Sequence, residues 1–179
     1  FIENFSGIVV LDEAYIEFSS RKSAISWLAK YPNLIVLQTL SKAYGMAGLR
    51  IGIGAASTEI ATLMNTIKGP YNVNSLSQKI ALEQLNDGKI FKENLEQILA
   101  EREFLKVQLN ELDFVKKIYP TEANFFLIKV ENPIEIYEFL LAQNILTSLR
   151  HPQIENALRI NVGSKEENQK LIETLKNYQ

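Results

Sequence analysis

The chain has 179 residues, 46% of them hydrophobic and 22% charged, the composition of a globular fold rather than of a disordered chain or a fibre. Nineteen basic residues against twenty-one acidic ones leave a net charge of −2, so there is no electrostatic footprint for nucleic acid or an anionic membrane. Cysteine is absent and histidine occurs once, at His151, which excludes a disulfide framework, a thiol nucleophile and cysteine-based zinc sites. A Ser-His-Asp triad has only His151 to use, with no G-x-S-x-G elbow beside it. No metal site is expected. The lack of cysteine suits a cytoplasmic setting, no apolar run is long enough to span a bilayer, and no basic-then-apolar signal opens the chain. The chain starts without Met and runs almost at once into a buried-type strand, so it reads as a piece of a longer protein.

Ile8 to Leu11 (IVVL) is a short, fully apolar run, as expected of a parallel strand covered on both faces. Ala24 to Ala29 sets Ala24, Ile25, Trp27 and Leu28 on one helical face, with Trp27 in the core. After the Pro32-Asn33 break, Leu34 to Leu40 (LIVLQTL) is a second buried strand. Strand, helix and strand at this spacing form a βαβ unit, with a parallel sheet as the default. Leu49 to Ala55 follows a glycine-spaced stretch as a candidate third strand. Ser57 is an N-cap for a helix through Ile67, which Lys68-Gly69-Pro70 stops. Leu76 to Leu112 is helical with a break at Asp87-Gly88, long enough to bridge two domains. Beyond it, strands are expected at Phe114–Tyr119, Phe125–Val130, Ile145–Leu149 and Leu158–Val162, with a helix from Pro133. Ser164 and Glu167 form a capping box for the last helix. This second half is an α+β unit of its own.

Polar residues collect where the apolar strands end, the place where open α/β sheets hold their ligands. Asp12 and Tyr15 follow the first strand; Thr39, Ser41 and Lys42 follow the second; Arg50 comes after the glycine stretch. Singly, each has a commonplace reading: a turn carboxylate, a solvated lysine, a surface arginine. Together they form the set that pyridoxal phosphate chemistry needs. An amine can condense with the aldehyde, a carboxylate can keep the pyridine nitrogen protonated, and a phenol can hydrogen-bond the 3-oxygen. Hydroxyls and an arginine fork suit the phosphate.

Val10 to Tyr15 (VLDEAY) and Thr39 to Gly52 (TLSKAYGMAGLRIG) closely resemble the fold-type I aminotransferases. Pro70 to Asn74 (PYNVN), Glu122 to Phe126 (EANFF) and Ala157 to Gly163 (ALRINVG) are most similar to the histidinol-phosphate aminotransferase subfamily. The resemblance implies an α/β fold, the C-terminal part of a pyridoxal-phosphate-binding large domain with a mostly parallel sheet plus a small α+β domain. The large-domain part would cover residues 1–75, the helical connection 76–112 and the small domain 113–179. It implies Lys42 as the cofactor lysine, Asp12 and Tyr15 as partners of the ring, and Thr39, Ser41 and Arg50 at the phosphate. Arg159 would hold the substrate's anionic group, with Asn124 lining the same region. The implied substrates are histidinol phosphate and glutamate or 2-oxoglutarate, in a ping-pong transamination by a homodimer, with no nucleic-acid or membrane partner.

Two features depart from the subfamily. Its second arginine falls at Thr147 or Ser148 here, with Arg150 two places on as a stand-in. The N-terminal segments that complete the family's cofactor site do not precede Phe1, so an exposed apolar sheet edge is expected and this chain alone is not expected to be active. Two rival readings are a threonine-phosphate decarboxylase on the same fold and a non-catalytic folding or dimerisation piece.

Overall fold

Val9–Asp12 (β1) and Leu34–Thr39 (β2) pair in parallel, with Val9 opposite Leu34 and Asp12 opposite Leu37. Gly52–Ala56 (β3) completes a sheet ordered β1-β2-β3. The βαβ default gives a parallel third strand, but β3 runs antiparallel, with Thr39 opposite Gly52. The connection explains this. Residues 40–51 hold only tight turns and one 3-10 turn at Ala47–Leu49, and the Leu40 N–H donates to the Ile51 carbonyl at 3.2 Å. The chain doubles back at once, without a crossover helix to carry it to the other end of the sheet. These are features of a computed structural model that describes residues 1–178.

The expected helical face at Ala24–Ala29 is a single 3-10 turn, Ala24–Trp27, capped by the Ser23 hydroxyl accepting from the Ile25 N–H at 3.1 Å. So short a segment before Pro32 cannot repay helix nucleation. One turn has room for one inward side chain, and Ala24 takes it; Trp27, expected in the core, is 52% exposed. The first strand also differs from its expectation. Val10 and Leu11 are 55% and 38% exposed, whereas Val36 on β2 is fully buried. β1 is an end strand, so only the central strand is shielded, and the anticipated apolar edge lies at the surface.

Thr58–Ile67 (α1) starts at the Ser57 cap and leans on β3, where a Cβ on Gly54 would come within 3.3 Å of Met64 Cε. Ser75–Leu85 (α2) is capped by Asn74, whose Oδ1 accepts from the Ser77 N–H at 2.9 Å. The break at Asp87 precedes Gly88–Asn110 (α3). The chain forms two compact units, Phe1–Lys92 and Glu93–Gln179, that divide within α3. Among the described residues no helix is long and apolar enough to cross a membrane.

The second unit adds Val115–Ile118 (β4), Phe125–Val130 (β5), Pro133–Ala142 (α4), Ser148–Leu149 (β6), Ala157–Asn161 (β7) and Lys165–Lys176 (α5). Its sheet is antiparallel, ordered β4-β5-β7-β6. The strand expected over Ile145–Leu149 shrinks to two residues. Asn144 takes a left-handed φ of 58°, and the Ile145 N–H is used to close the end of α4 on the Leu140 carbonyl. On β5 burial alternates, with Phe126, Ile128 and Val130 inward and Phe125, Leu127 and Lys129 outward, the period-two signature of a half-covered sheet. Leu105 and Leu109 of α3, Leu158 and Ile160 of β7, and Leu171, Ile172 and Leu175 of α5 fill one core. The capping box closes as expected, with the Glu167 N–H on Ser164 Oγ at 3.2 Å and the Ser164 N–H on Glu167 Oε2 at 2.8 Å.

This contrast in burial predicts a gradient in local stability. Among the strands of three residues or more, backbone amide exchange is expected to be slowest in β5 and β7 and fastest in β1, whose outer edge pairs with no other strand among the described residues. Equal protection of β1 and β5 would contradict this picture.

Candidate active site

Because β1 and β2 are parallel, the residues leaving them emerge at one end of the sheet. Asp12 closes β1 and Tyr15 lies one turn on; Thr39 closes β2, and Ser41 and Lys42 follow. The Lys42 amine lies 5.4 Å from the centroid of the Tyr15 ring. Thr39 Oγ1 donates to the Ile51 carbonyl at 3.3 Å and accepts from the Ser41 N–H at 3.0 Å. That hydroxyl ties the Ser41-Lys42 turn to the chain returning from Arg50. The sheet thus brings the six predicted residues Asp12, Tyr15, Thr39, Ser41, Lys42 and Arg50 to one end.

Two of them also make local contacts with the backbone. Asp12 Oδ1 accepts from the Ala14 N–H at 2.9 Å, so the commonplace turn role is real, and it leaves Oδ2 open. Arg50 adopts a left-handed conformation, φ 57° and ψ 43°, with Nη1 donating to the Ala47 carbonyl at 3.0 Å. An arginine held there costs about 1–2 kcal/mol relative to ordinary backbone, although Gly48 and Gly52 stand close by. Strain at such a residue is a pointer to function.

Glu13 is a further residue of this sheet end, not among the six expected from sequence. It follows Asp12, the last residue of β1, and its side chain is buried, 7% exposed, whereas that of Asp12 is exposed. Its carboxylate accepts from Ser23 Oγ at 2.6 Å, the Ala24 N–H at 2.7 Å and Gln38 Nε2 at 3.0 Å. Burial pushes its pKa up, but these three donors outweigh that and hold the carboxyl below the usual range. Glu13 therefore ties the end of β1, and with it Asp12, to β2 and the 3-10 turn. The legible signal was Gln38, the one amide in β2, whose first four residues are apolar. Nearby, burial raises the Glu17 carboxyl, against a hydrogen bond from its own backbone and with help from the Glu13 charge. Burial and Glu17 likewise raise the Tyr44 phenol, whose ring stacks on Phe91 at 4.5 Å.

In the second unit Arg159 projects from the face of β7 opposite the core, between buried Leu158 and Ile160. Its guanidinium lies 3.9 Å from the Phe125 ring centroid, and its Nε donates to Asn161 Oδ1 at 3.2 Å. Asn124 immediately precedes β5, and its carbonyl accepts from the Val162 N–H at 2.9 Å. Its visible role is to join the ends of β5 and β7 through the main chain. Across the β6–β7 ladder the residue opposite Arg159 is Ser148. Arg150, expected as a stand-in arginine, lies past the end of β6, exposed, with its N–H on the Ala157 carbonyl. A hydroxyl, rather than a second guanidinium, neighbours Arg159.

A fold of this kind with this set of strand-end residues is that of an aminotransferase, and the family model for aminotransferase class I and II matches residues 1–175. The chain belongs to that family. It is 47% identical, over 98% of its length, to the histidinol-phosphate aminotransferase of Flavobacterium johnsoniae, and covers 51% of that relative. The chain thus spans about half the length of the curated relatives it matches. Among solved structures, histidinol-phosphate aminotransferase from Clostridium acetobutylicum superposes with a TM-score of 0.89 at 26% identity, over 97% of this chain and 54% of that one. L-threonine-O-3-phosphate decarboxylase from Porphyromonas gingivalis gives 0.82 at 25% identity, over 94% and 54%.

Proposed function

We propose that this chain is the lysine-bearing and small-domain part of a pyridoxal-phosphate-dependent histidinol-phosphate aminotransferase, cytoplasmic and homodimeric when complete. In this reading the end of the large domain would cover 1–75, a helical connection 76–112 and the small domain 113–179, bounds that differ from the division of the two compact units after Lys92. The observation that carries the proposal is the Lys42 amine beside the Tyr15 ring at the same sheet end as Asp12, Thr39, Ser41 and Arg50. Among the described residues Lys42 forms no ion pair, so its nitrogen is free for a carbonyl.

The donor set fits the cofactor group by group. Asp12 would hold the proton on the ring nitrogen and Tyr15 the 3-oxygen, while Ser41, Thr39 and Arg50 would bind the phosphate. When bound, pyridoxal phosphate supplies an electron-withdrawing ring that allows an amino group to be exchanged for a carbonyl. Lys42 Nζ then removes and returns the proton at the substrate's α-carbon as base and acid. Arg159 orients the substrate by its anionic group, the phosphate of histidinol phosphate or a carboxylate of glutamate or 2-oxoglutarate, and Asn124 lines the same region. Cofactor-loaded complete protein is expected to convert histidinol phosphate and 2-oxoglutarate to imidazole acetol phosphate and glutamate. Release of carbon dioxide from threonine phosphate, with no transamination, would favour the decarboxylase reading that the second structural likeness keeps in view.

Asp12→Asn removes the charge but keeps the Ala14 turn, because the amide oxygen still accepts. It is expected to slow transamination by roughly ten- to a hundredfold, the worth of one charge-assisted hydrogen bond, while cofactor absorbance remains. Near-normal turnover would reduce Asp12 to its turn role.

A further inference from the structure

Arg159 is held by two neighbours, each using a different part of the guanidinium. The Phe125 ring lies against it at 3.9 Å to the centroid, and Asn161 Oδ1 takes the Nε–H at 3.2 Å. The sheet register enforces this grouping: Phe125 is the cross-strand partner of Asn161 on β5 and β7, and Asn161 stands two residues from Arg159 on the same face. All three are clear of the core beneath, where Phe126, Leu158 and Ile160 are buried. A guanidinium can grip an oxyanion side-on, through Nε and one terminal nitrogen, or end-on, through both terminal nitrogens. Asn161 occupies Nε, so the side-on mode is taken. The end-on edge remains, and the described residues supply no acceptor for it.

We propose that Phe125 and Asn161 are positioning residues that hold Arg159 for end-on, bidentate capture of a phosphate or carboxylate. This rests on the reading of Arg159 as the substrate's anion clamp and adds the device that aims it. An unsupported arginine on a strand surface samples many rotamers, and fixing it before the ligand arrives removes that entropy loss from binding. The ring contributes a cation–π contact as well as a flat floor. Both neighbours act through Arg159 and need not touch the ligand.

The test uses the full chain and inorganic phosphate, followed by NMR of the arginine Nε–H groups. In the unaltered chain the Arg159 Nε–H is expected to be displaced by the Phe125 ring current and slow to exchange, unlike that of exposed Arg150. Asn161→Ala, at an exposed position that leaves the core intact, should restore fast exchange at Arg159 and weaken phosphate binding about three- to tenfold. Phe125→Leu should abolish the ring-current displacement and weaken phosphate by a similar factor, and Phe125→Tyr should retain both. Arg159→Lys sets the baseline. If phosphate binding needs Arg159 but is unchanged in Asn161→Ala and Phe125→Leu, the positioning proposal is overturned while the clamp reading stands. If Arg159→Lys binds phosphate as well as the unaltered chain, the clamp reading fails and the proposal falls with it.

Discussion

Lys42→Ala is expected to abolish transamination in the complete protein, with a fall of about 10⁴-fold or more. Two proposed contributions would disappear together: the amine that would hold the cofactor's aldehyde, and the base that would move the α-proton, which alone is worth ~10²–10⁴. Lys42→Arg keeps a cation beside the Tyr15 ring, where the amine now lies at 5.4 Å, but it is not expected to recover the rate. An arginine does not deprotonate near neutral pH and cannot act as nucleophile or base. Single-turnover conversion of histidinol phosphate reads both variants. Retained turnover in either would remove Lys42 from the chemistry.

The second large effect belongs to Arg159. Arg159→Lys preserves the charge but loses the planar fork, its contact with the Phe125 ring and the Nε–H on Asn161. A reduction in kcat/KM of roughly ten- to a hundredfold is expected for both histidinol phosphate and glutamate, the worth of a charge-assisted hydrogen bond. Cofactor affinity should stay nearly unchanged. The opposite pattern, weaker cofactor and unchanged substrate kinetics, would put Arg159 among the cofactor's ligands. A gentler companion is Ser148→Arg, which returns a guanidinium opposite Arg159 on the β6–β7 ladder. It is expected to lower KM for the phosphate substrate more than for the carboxylate one, because a dianion gains more from a second cation.

The clustering of the strand-end residues was legible because parallel strands bring their C-terminal ends together, so an Asp after one apolar run and a Ser-Lys after the next must be neighbours. The capping box at Ser164 and the stop at Lys68-Gly69-Pro70 were legible for a similar reason, since each is a local rule written in adjacent residues. Burial was harder to read. Apolar runs show which residues prefer cover, and not whether another element supplies it; Trp27 and Val10 carry the pattern of core residues yet lie exposed. The direction of β3 depended on how residues 40–51 fold back, a matter of turn geometry rather than periodicity. The surroundings of Arg159 were out of reach because Phe125 meets Asn161 only through the β5–β7 register. Glu13 stood beside Asp12 in plain view, and what sets the buried anchor apart from the exposed carboxylate is a set of donors, Ser23, Ala24 and Gln38, that adjacency in sequence does not reveal.

The most direct test of the central claim is chemical labelling of the cofactor lysine. Cofactor-loaded complete protein is reduced with borohydride, digested and mapped by mass spectrometry. A pyridoxyl group is expected on the peptide containing Lys42. A label on any other lysine, such as Lys68 after α1, or no label at all from protein that turns over histidinol phosphate, would contradict it.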